Sequence, residues 1–308
     1  MNRDLSASPR IDPAAVRRVL REAGLRARSQ LSQNFLADPD VLEVILAEAD
    51  PRPGGRVVEI GPGLGILTDA LLDAGAAVTA IELDRGLAAY LRDRHAAALG
   101  LADDAGPNTP GALSLIEGDA LDQDLVRLVS PPYDVVANIP YHITSPILHA
   151  LLGTSPRPRR IVLMVQREVG ERVAAPPGAM SYLSVFVQYH ARVRVATIVP
   201  PTAFEPAPKV ASVVLVLEPY PDDDRLTDAD AEDELWRLVQ AGFRERRKML
   251  HNVLARQLPI STERVDAALA AVGIAPERRP QTLAVGEWLA LREAVGPIGP
   301  DARGRKTR

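Results

Sequence analysis

Between residues 56 and 165 the chain alternates short β-branched runs with helix-like segments, and no other feature restricts its fold as much. Each run is separated from the next by a segment with a helical pattern. The runs are Arg56–Ile60, Ala77–Ile81, Leu113–Ile116, Asp134–Ala137 and Ile161–Val165. Such alternation is typical of a parallel sheet whose strands are joined by crossover helices. We therefore predict an α/β fold.

Two further β-rich runs, Val185–Val199 and Ala211–Leu217, have no long helix between them. They predict an antiparallel hairpin that ends the sheet. The segment Gly100–Gly111 is rich in Asp, Gly and Pro, and it is predicted to be an exposed loop between a helix and the third strand.

The C-terminal third has a different pattern. Residues 228–295 are predicted to be helical, with breaks at Pro259, at Gly273 and within residues 276–280. Two domains are also the default expectation for 308 residues with 46% hydrophobic content. The predicted parts are an N-terminal extension with a helix (1–28), the sheet domain (29–220), a small all-helical domain (221–296) and a basic, disordered tail (297–308).

Composition excludes several classes of function. The absence of cysteine rules out disulfide frameworks, thiolate metal sites and a cysteine nucleophile, and the 5 histidines lack ligand spacing, so no metal is expected. No run approaches the roughly 20 apolar residues of a membrane span, and residues 1–13 lack the apolar core of a signal peptide. We therefore predict a cytoplasmic protein without a membrane partner, and we expect a monomer.

Charge is distributed unevenly along the chain. The net charge is -4, but Asp222–Glu234 alone holds eight acidic residues and one arginine, a local charge of -7, so the remainder carries +3. Downstream, Arg237, Arg244, Lys248 and His251 are predicted to share one face of a single helix. The candidate nucleic-acid contacts are Arg244, Arg246, Arg247 and Lys248. The commoner explanation of such a charge run is a solvated helix face.

A glycine-rich segment follows the first predicted strand. Its spacing, G-x-G-x-G from Gly61, differs from the G-x-G-x-x-G that binds a pyrophosphate, which disfavours a nicotinamide cofactor. Glu82 ends the second strand, where a carboxylate accepts ribose hydroxyls, and Asp119 follows the third, where it can accept from an adenine amine. Together they fit an adenosyl ligand without phosphates, namely S-adenosyl-L-methionine. The alternatives are a strand-to-helix turn, helix N-caps and surface carboxylates.

The fourth predicted strand leads into Asn138-Ile139-Pro140-Tyr141. The Asn138 side chain offers a carbonyl and Pro140 leaves its own backbone carbonyl free, so two acceptors can converge on one amine. Tyr141 supplies a stacking face for a flat ring. The alternative is an ordinary Asx-type turn closed by proline.

Motifs along nearly the whole chain, from about Leu31 to Leu291, closely resemble those of the rRNA adenine N6-dimethyltransferase family. The segment Phe243–Leu250 resembles the branch that acts on small-subunit (16S) rRNA. The other matching segments are Gln33–Leu36, Glu59–Gly65, Ile81–Asp84, Gly118–Leu121, Asn138–Tyr141, Gln166–Val169, Pro200–Phe204 and Pro208–Val210.

This resemblance implies a Rossmann-like class I S-adenosylmethionine-dependent methyltransferase domain at residues 29–220 and a helical RNA-binding domain at 221–296. It implies that Tyr141 and Phe204 enclose the target adenine. Its cofactor positions fall on Asn34, Leu36, Gly61, Gly63, Glu82, Asp119 and Asn138. Such enzymes dimethylate two adjacent adenines in the 3′-terminal hairpin of 16S rRNA, within an immature small ribosomal subunit.

Three positions depart from the family pattern. Ser32 stands where the family usually has Gly before Gln33, and Ile139 stands where this branch usually has Leu. The Gly100–Gly111 loop is longer than usual. None of these departures removes a residue that the activity requires.

The expected chemistry follows from the electronic structure of adenine. Its amine is a poor nucleophile because the lone pair is delocalised into the ring. If Asn138 and the Pro140 carbonyl accept its two N–H bonds, the lone pair can point at the sulfonium methyl. In-line transfer then needs mainly positioning, since the leaving group is neutral, and the proton can pass to water. Catalysis is therefore assigned to Asn138, Pro140, Tyr141 and Phe204.

Three other interpretations remain open at this point. One is a drug-resistance methyltransferase acting on adenine of 23S rRNA, which often carries the same tetrapeptide. Another is a DNA adenine methyltransferase, whose tetrapeptide usually has two prolines. The third is a non-catalytic assembly or transcription factor that binds RNA through the basic segment. Intact Glu82, Asp119 and Asn138 argue against the loss of catalysis.

Overall fold

The computed structural model describes residues 11–140, 143–221 and 228–299. Contacts divide the chain into two compact units. The first contains the chain up to Gly170 and Arg194–Pro219, and the second contains Glu171–Val193 and the chain from Tyr220 onward. The sequence analysis predicted that Glu171–Val193 belongs to the sheet domain (29–220), whereas the contacts place this segment in the second unit. How function divides between the two predicted domains stays a prediction.

The main sheet has seven strands in the order β4-β3-β2-β5-β6-β9-β7. The five neighbouring strands β4, β3, β2, β5 and β6 are parallel, and β9 is antiparallel to β6. The α/β prediction is therefore confirmed, including a change of direction near the end of the sheet. The strands are β2 Arg56–Ile60, β3 Ala77–Glu82, β4 Leu113–Glu117, β5 Asp134–Asn138, β6 Arg160–Gln166, β7 Ala191–Val199 and β9 Ser212–Pro219.

Helices precede or follow most of these strands, and α2 to α5 pack against them. The first eight are α1 Pro13–Glu22, α2 Pro39–Ala49, α3 Ile66–Asp73, α4 Arg85–Arg94, α5 Ala96–Ala105, α6 Leu125–Leu128, α7 Thr144–Gly153 and α8 Arg167–Val173. The prediction of an exposed loop over Gly100–Gly111 was wrong in its first half, because α5 continues to Ala105. The alanine and leucine content of this part favours a helix.

A second, two-stranded sheet connects distant parts of the first unit. Strand β1, Phe35–Leu36, pairs antiparallel with β8, Phe204–Glu205. In this register Leu36 lies opposite Phe204. A predicted cofactor residue and a predicted target-base residue therefore sit on neighbouring strands.

Parallel pairing brings the carboxyl ends of four strands to one edge of the main sheet. Ile60 at the end of β2 pairs with Ile81 on β3 and with Ala137 on β5. Glu82 pairs with Glu117 at the end of β4. The residues that follow these strands thus meet at the edge where open α/β sheets bind ligands.

In the described residues, the second unit consists of helices and their connections, apart from the start of β7. Its helices are α9 Tyr182–His190, α10 Ala229–Arg244, α11 Leu250–Gln257, α12 Thr262–Ala271 and α13 Val285–Val295. A core that includes Leu238, Leu250 and Trp288 joins them. Among the described residues, no helix has the length and the apolar composition that crossing a membrane requires.

The predicted strand Val185–Val199 was wrong in its first part, which is helix α9. Ser181 and Ser184 form a reciprocal capping box that begins this helix. The helical spacing then places Val185 and Tyr189 together in the core of the second unit. Favourable capping and burial outweigh the β propensity of these residues.

The single basic helix predicted around Arg244 was also wrong. Helix α10 ends at Arg244 and α11 begins at Leu250, so Arg246, Arg247 and Lys248 lie in the connection between them. A turn bond from the Lys248 N–H to the Glu245 carbonyl, 2.8 Å long, reverses the chain. The reversal allows Leu250 to pack near Gly242.

Candidate active site

A cavity opens at the carboxyl edge of the parallel strands, within the first unit. Most of the residues predicted to bind the cofactor or the target base line it. They are Asn34, Leu36, Gly61, Gly63, Glu82, Asp119, Asn138, Pro140 and Phe204. Tyr141 lies outside the described residues. The candidate RNA contacts Arg244, Arg246, Arg247 and Lys248 belong to the second unit.

The glycine-rich turn forms one wall of the cavity and favours glycine at all three of its glycine positions. Gly61, Gly63 and Gly65 have φ angles of 71°, 59° and 80°, a region that side chains disfavour. A Cβ at Gly63 would lie 3.1 Å from the Phe35 ring, and one at Gly65 would lie 2.9 Å from a methyl group of Leu91. The turn is therefore both conformationally and sterically restricted to glycine.

Glu82 is held rigidly beside this turn. Its Oε2 accepts a hydrogen bond from the Gly63 N–H at 3.0 Å, and its Oε1 accepts from the Asp84 N–H at 2.8 Å. Burial raises the pKa of Glu82 above its usual value, and these two N–H donors partly oppose the rise. The carboxylate keeps further lone pairs, which suit two ribose hydroxyls.

Asp119 combines the structural role that we considered with an acceptor role. Its Oδ1 accepts from the Leu121 N–H at 2.9 Å and caps the short 3-10 helix Ala120–Asp122. Its Oδ2 has no hydrogen bond to any residue in the described ranges. One oxygen therefore fixes the side chain while the other remains able to accept from an amine.

The orientation of the Asn138 amide is fixed by Asn34, the residue that precedes strand β1. Its Nδ2 donates to the Asn34 carbonyl at 3.1 Å, and the Asn34 side chain in turn donates to the Ser32 carbonyl at 2.9 Å. The reverse orientation of Asn138 would oppose two oxygens, so the network assigns Oδ1 as the remaining acceptor. This oxygen has no partner among residues 11–140, 143–221 and 228–299.

The expectation that the Pro140 carbonyl is free was wrong. It accepts a hydrogen bond from the Ile143 N–H at 3.2 Å, because the chain turns here toward helix α7. A carbonyl oxygen has two lone pairs, so a second donor can still bind. The two acceptors of the tetrapeptide therefore differ: the Pro140 carbonyl already accepts one hydrogen bond, whereas Asn138 Oδ1 accepts none from the described residues.

Phe204 is both a core residue and a cavity residue. It is 2% exposed and packs in the main hydrophobic core with Leu36, yet it also lines the cavity. Its ring is therefore held in place by the core on one side. Such fixation suits a surface on which a base would stack.

Glu59 is a cavity residue that our predictions missed. It is fully buried at the end of β2 and accepts a hydrogen bond from the Thr68 hydroxyl at 2.6 Å. Burial, opposed by the Thr68 bond, raises the pKa of Glu59 to about 8. The sequence contained one indication of this role, because Glu59 is an acidic residue between the apolar residues Val58 and Ile60 of a predicted buried strand.

A network around Asp84 was also missed. Its Oδ1 accepts from the Gly86 and Leu87 N–H groups and caps helix α4. Its Oδ2 accepts from Gln33 Nε2 at 3.1 Å and forms an ion pair with Arg28 Nε at 3.2 Å. Asp84 therefore ties the segment before Asn34 to the strand end that carries Glu82.

In the described ranges, no three His, Asp or Glu side chains form a group of the kind that binds a metal ion. The expectation that the chemistry needs no metal stays a prediction.

A model of the ribosomal RNA adenine dimethylase family matches residues 24–295 of the chain. Ribosomal RNA small subunit methyltransferase A of Anaeromyxobacter sp. (strain K) is 41% identical over 293 residues, which cover 91% of this chain and 97% of that protein. The protein of the same name from Synechococcus elongatus is 41% identical over 283 residues, covering 88% and 95%.

Solved structures give the same result. A dimethyladenosine transferase from Plasmodium falciparum has a TM-score of 0.68 at 27% identity, covering 83% of this chain and 95% of its own. The 23S rRNA methyltransferase ErmE has a TM-score of 0.66 at 28% identity, covering 85% and 99%. The chain belongs to the ribosomal RNA adenine dimethylase family, and it is a methyltransferase acting on adenine of ribosomal RNA.

Proposed function

We propose that this enzyme dimethylates N6 of two adjacent adenines in the 3′-terminal hairpin of 16S rRNA, within an immature small ribosomal subunit. The observation that carries this proposal is the fixed amide of Asn138, whose Oδ1 stays available as an acceptor in the cavity shared with Glu82 and Asp119. The names of the relatives at 41% identity support the small subunit as the target. The enzyme acts in the cytoplasm as a monomer and without a metal.

S-adenosylmethionine supplies a sulfonium methyl group and leaves as a neutral thioether. Glu82 binds its ribose hydroxyls, and the outer oxygen of Asp119 binds its adenine amine. The backbone of Gly61 and Gly63, together with Asn34 and Leu36, forms the rest of this site. The rigid Glu82 carboxylate, already fixed by two N–H donors, is the feature that fits an adenosyl ligand.

The target adenine enters beside Phe204, and its amine donates to Asn138 Oδ1 and to the Pro140 carbonyl. These bonds draw the nitrogen away from conjugation with the ring, so its lone pair becomes available for in-line attack. Tyr141 is proposed to cover the second face of the base. The proton leaves after methyl transfer and passes to water.

The role of Asn138 is tested by Asn138→Ala. We expect the rate of methyl transfer to fall by about 10²–10³-fold, as when a charge-stabilising hydrogen bond is removed from an active site. Cofactor affinity, measured by calorimetry, falls much less. Asn108→Ala, an exposed asparagine in a loop, is the matched control and keeps normal turnover. Normal turnover in Asn138→Ala would refute the assignment.

The choice of substrate is tested by comparing two RNAs. Purified small subunits that lack the modification are expected to accept four methyl groups per particle, while protein-free large-subunit rRNA accepts none. Mass spectrometry of the digested RNA measures both. The comparison matters because the fold resembles that of a 23S rRNA methyltransferase almost as closely. Methylation of the large-subunit RNA alone would replace the proposed substrate.

Arg246, Arg247 and Lys248 are proposed to bind rRNA phosphates. All three are exposed in the connection between α10 and α11. Arg244, also assigned to RNA from the sequence, donates instead to Gln257 Oε1 at 3.0 Å and so has an internal partner. Its contribution to RNA binding is therefore the smallest of the four.

A further inference from the structure

We propose that helix α1 and the segment after it form a second RNA-binding surface, in which Arg18, Arg21 and Arg26 contact backbone phosphates of the substrate. We call these three residues the N-terminal arginine face. The inference rests on the proposed function, because it takes the substrate to be an RNA. It adds a contact on the unit that carries the cavity, whereas the basic connection between α10 and α11 belongs to the other unit.

Helix α1 packs directly on elements that form the cavity. Its apolar residues Val16 and Leu20 are buried against Phe35, Leu64 and Leu87. These belong to strand β1, to the glycine-rich turn and to helix α4. All three residues, Phe35, Leu64 and Leu87, also line the cavity. The helix therefore lies beside the site where the target base must arrive.

Two ion pairs, one from the middle of α1 and one from the residues after it, fix this segment to the two sides of the site. Arg17 Nη1 donates to Glu205 Oε2 at 2.6 Å, on the strand that carries Phe204. Arg28 pairs with Asp84, two residues after Glu82. The segment is thus held both to the target-base side and to the cofactor side of the cavity.

The remaining arginines have no such partners. Arg18, Arg21 and Arg26 are exposed, and none has an acidic partner within the described part of the chain. Arg18 and Arg21 are three residues apart, so they share one side of the helix. Of the five arginines in residues 11–28, Arg17 and Arg28 form ion pairs within the first unit, and the other three are exposed to solvent.

The local charge favours a polyanion as the partner. Residues 11–28 contain five arginines against Asp12 and Glu22, a charge of +3 in a chain whose net charge is -4. Arginine binds phosphate through paired N–H donors, and each phosphate contact releases counterions. RNA is the polyanion that the proposed reaction brings to this cavity.

The test compares two full-length triple variants. In the first, Arg18→Gln, Arg21→Gln and Arg26→Gln remove the N-terminal arginine face. In the second, the matched control, Arg52→Gln, Arg85→Gln and Arg127→Gln remove the same charge from exposed arginines that already pair with acids of the first unit. Binding to unmethylated small subunits is measured across a series of salt concentrations.

For the first variant we expect Kd to rise about tenfold near physiological salt, and the slope of log K against log salt to become shallower by about two. The control keeps the wild-type slope to within about half a unit. Affinity for S-adenosylmethionine, measured by calorimetry, is the same in all three proteins and shows that the cavity is intact.

Equal slopes and affinities for the two variants would overturn the inference and leave the arginines as a solvated face. Loss of S-adenosylmethionine affinity in the first variant would also overturn it, by assigning these residues to the cofactor side. Methylation by the wild-type protein is followed in parallel. If the wild type binds the subunits without methylating them, the proposed function fails, and the binding comparison still decides on the arginine face.

Discussion

At the scale of single residues, Glu59 makes stability depend on pH. Its pKa, raised to about 8 by burial, means that the folded protein keeps a proton that the unfolded chain releases near pH 4.5. Between these values the folded state binds more protons than the unfolded state, so stability is greatest at low pH and falls as pH rises toward 8. The loss is on the order of a few kcal/mol.

Glu59→Gln removes this titration while keeping the shape of the side chain. We expect the melting temperature of the variant to exceed that of the wild type by an amount that grows from pH 5 to pH 8, without cofactor present. Glu22→Gln, at an exposed position on α1, is the control and leaves the difference constant. Parallel curves for Glu59→Gln and the wild type would contradict the buried neutral carboxyl.

Ser32 gives a second expectation at this scale. Its φ angle is 51°, a left-handed conformation that costs a residue with a side chain about 1–2 kcal/mol. Glycine, which the family pattern described above has at this position, would adopt this conformation at no such cost. We expect Ser32→Gly to raise the free energy of unfolding by about 0.5–1 kcal/mol, after allowing for the entropy of glycine in the unfolded chain. Chemical denaturation measures it.

Ser114→Gly is the control for this change. Ser114 lies in strand β4 with no left-handed conformation, so the same substitution is expected to destabilise by about 0.5–1 kcal/mol. Opposite signs for the two substitutions would support the strain at Ser32. Destabilisation by Ser32→Gly would show that the serine side chain has a role of its own.

At the scale of elements, Asp84 links the start of α4 to the segment that carries Asn34. Asp84→Ala removes the N-cap and the anchor for Arg28 and Gln33, so we expect a stability loss of about 1–2 kcal/mol and cofactor affinity about five- to tenfold weaker. Calorimetry with S-adenosylhomocysteine measures the affinity, and thermal melting measures the stability.

Asp228→Ala separates capping from cofactor binding. Asp228 caps α10 in the second unit, where its side chain accepts from the Asp230 N–H at 3.0 Å. We expect this control to lose similar stability and to bind the cofactor normally. Equal affinities for the Asp84 and Asp228 variants would mean that the Asp84 network only supports the fold.

At the scale of the whole molecule, the net charge of -4 does not indicate where basic residues cluster on surfaces that can bind RNA. Neutralising Arg246, Arg247 and Lys248 to Gln is expected to weaken binding to small subunits and to reduce the salt slope by about two. Arg244 is left unchanged because its bond to Gln257 joins α10 to α11. The three paired arginines used above serve again as the control. An unchanged slope would exclude this segment from the interface.

Much of the fold could be predicted because its signal is periodicity along the chain. The runs that begin at Arg56 and Ala77 became strands that start at those residues. The segments that failed were decided by contacts between distant residues. Val185 is β-branched but joins a helix, and the chain reverses after Arg244 so that Leu250 can reach the core.

The cavity could be predicted for a related reason. Spacing alone determines which residues follow each strand, and parallel pairing then brings Gly61, Glu82 and Asn138 together. The bond from Ile143 to Pro140, the buried proton of Glu59 and the network of Asp84 could not be predicted. Each depends on an atom that approaches through space, and a sequence pattern carries no information on such distances.

The small sheet of β1 and β8 has a thermodynamic consequence. It pairs the strand of Leu36 with the strand of Phe204, so we expect a ligand that restricts the motion of one strand to restrict that of the other. Cofactor and RNA should therefore tighten each other's binding by the same factor, commonly about 5–150-fold. Measuring RNA affinity with and without S-adenosylhomocysteine tests this, and equal values would disprove it. If the coupling is reciprocal, the enzyme releases S-adenosylmethionine less readily once rRNA is bound.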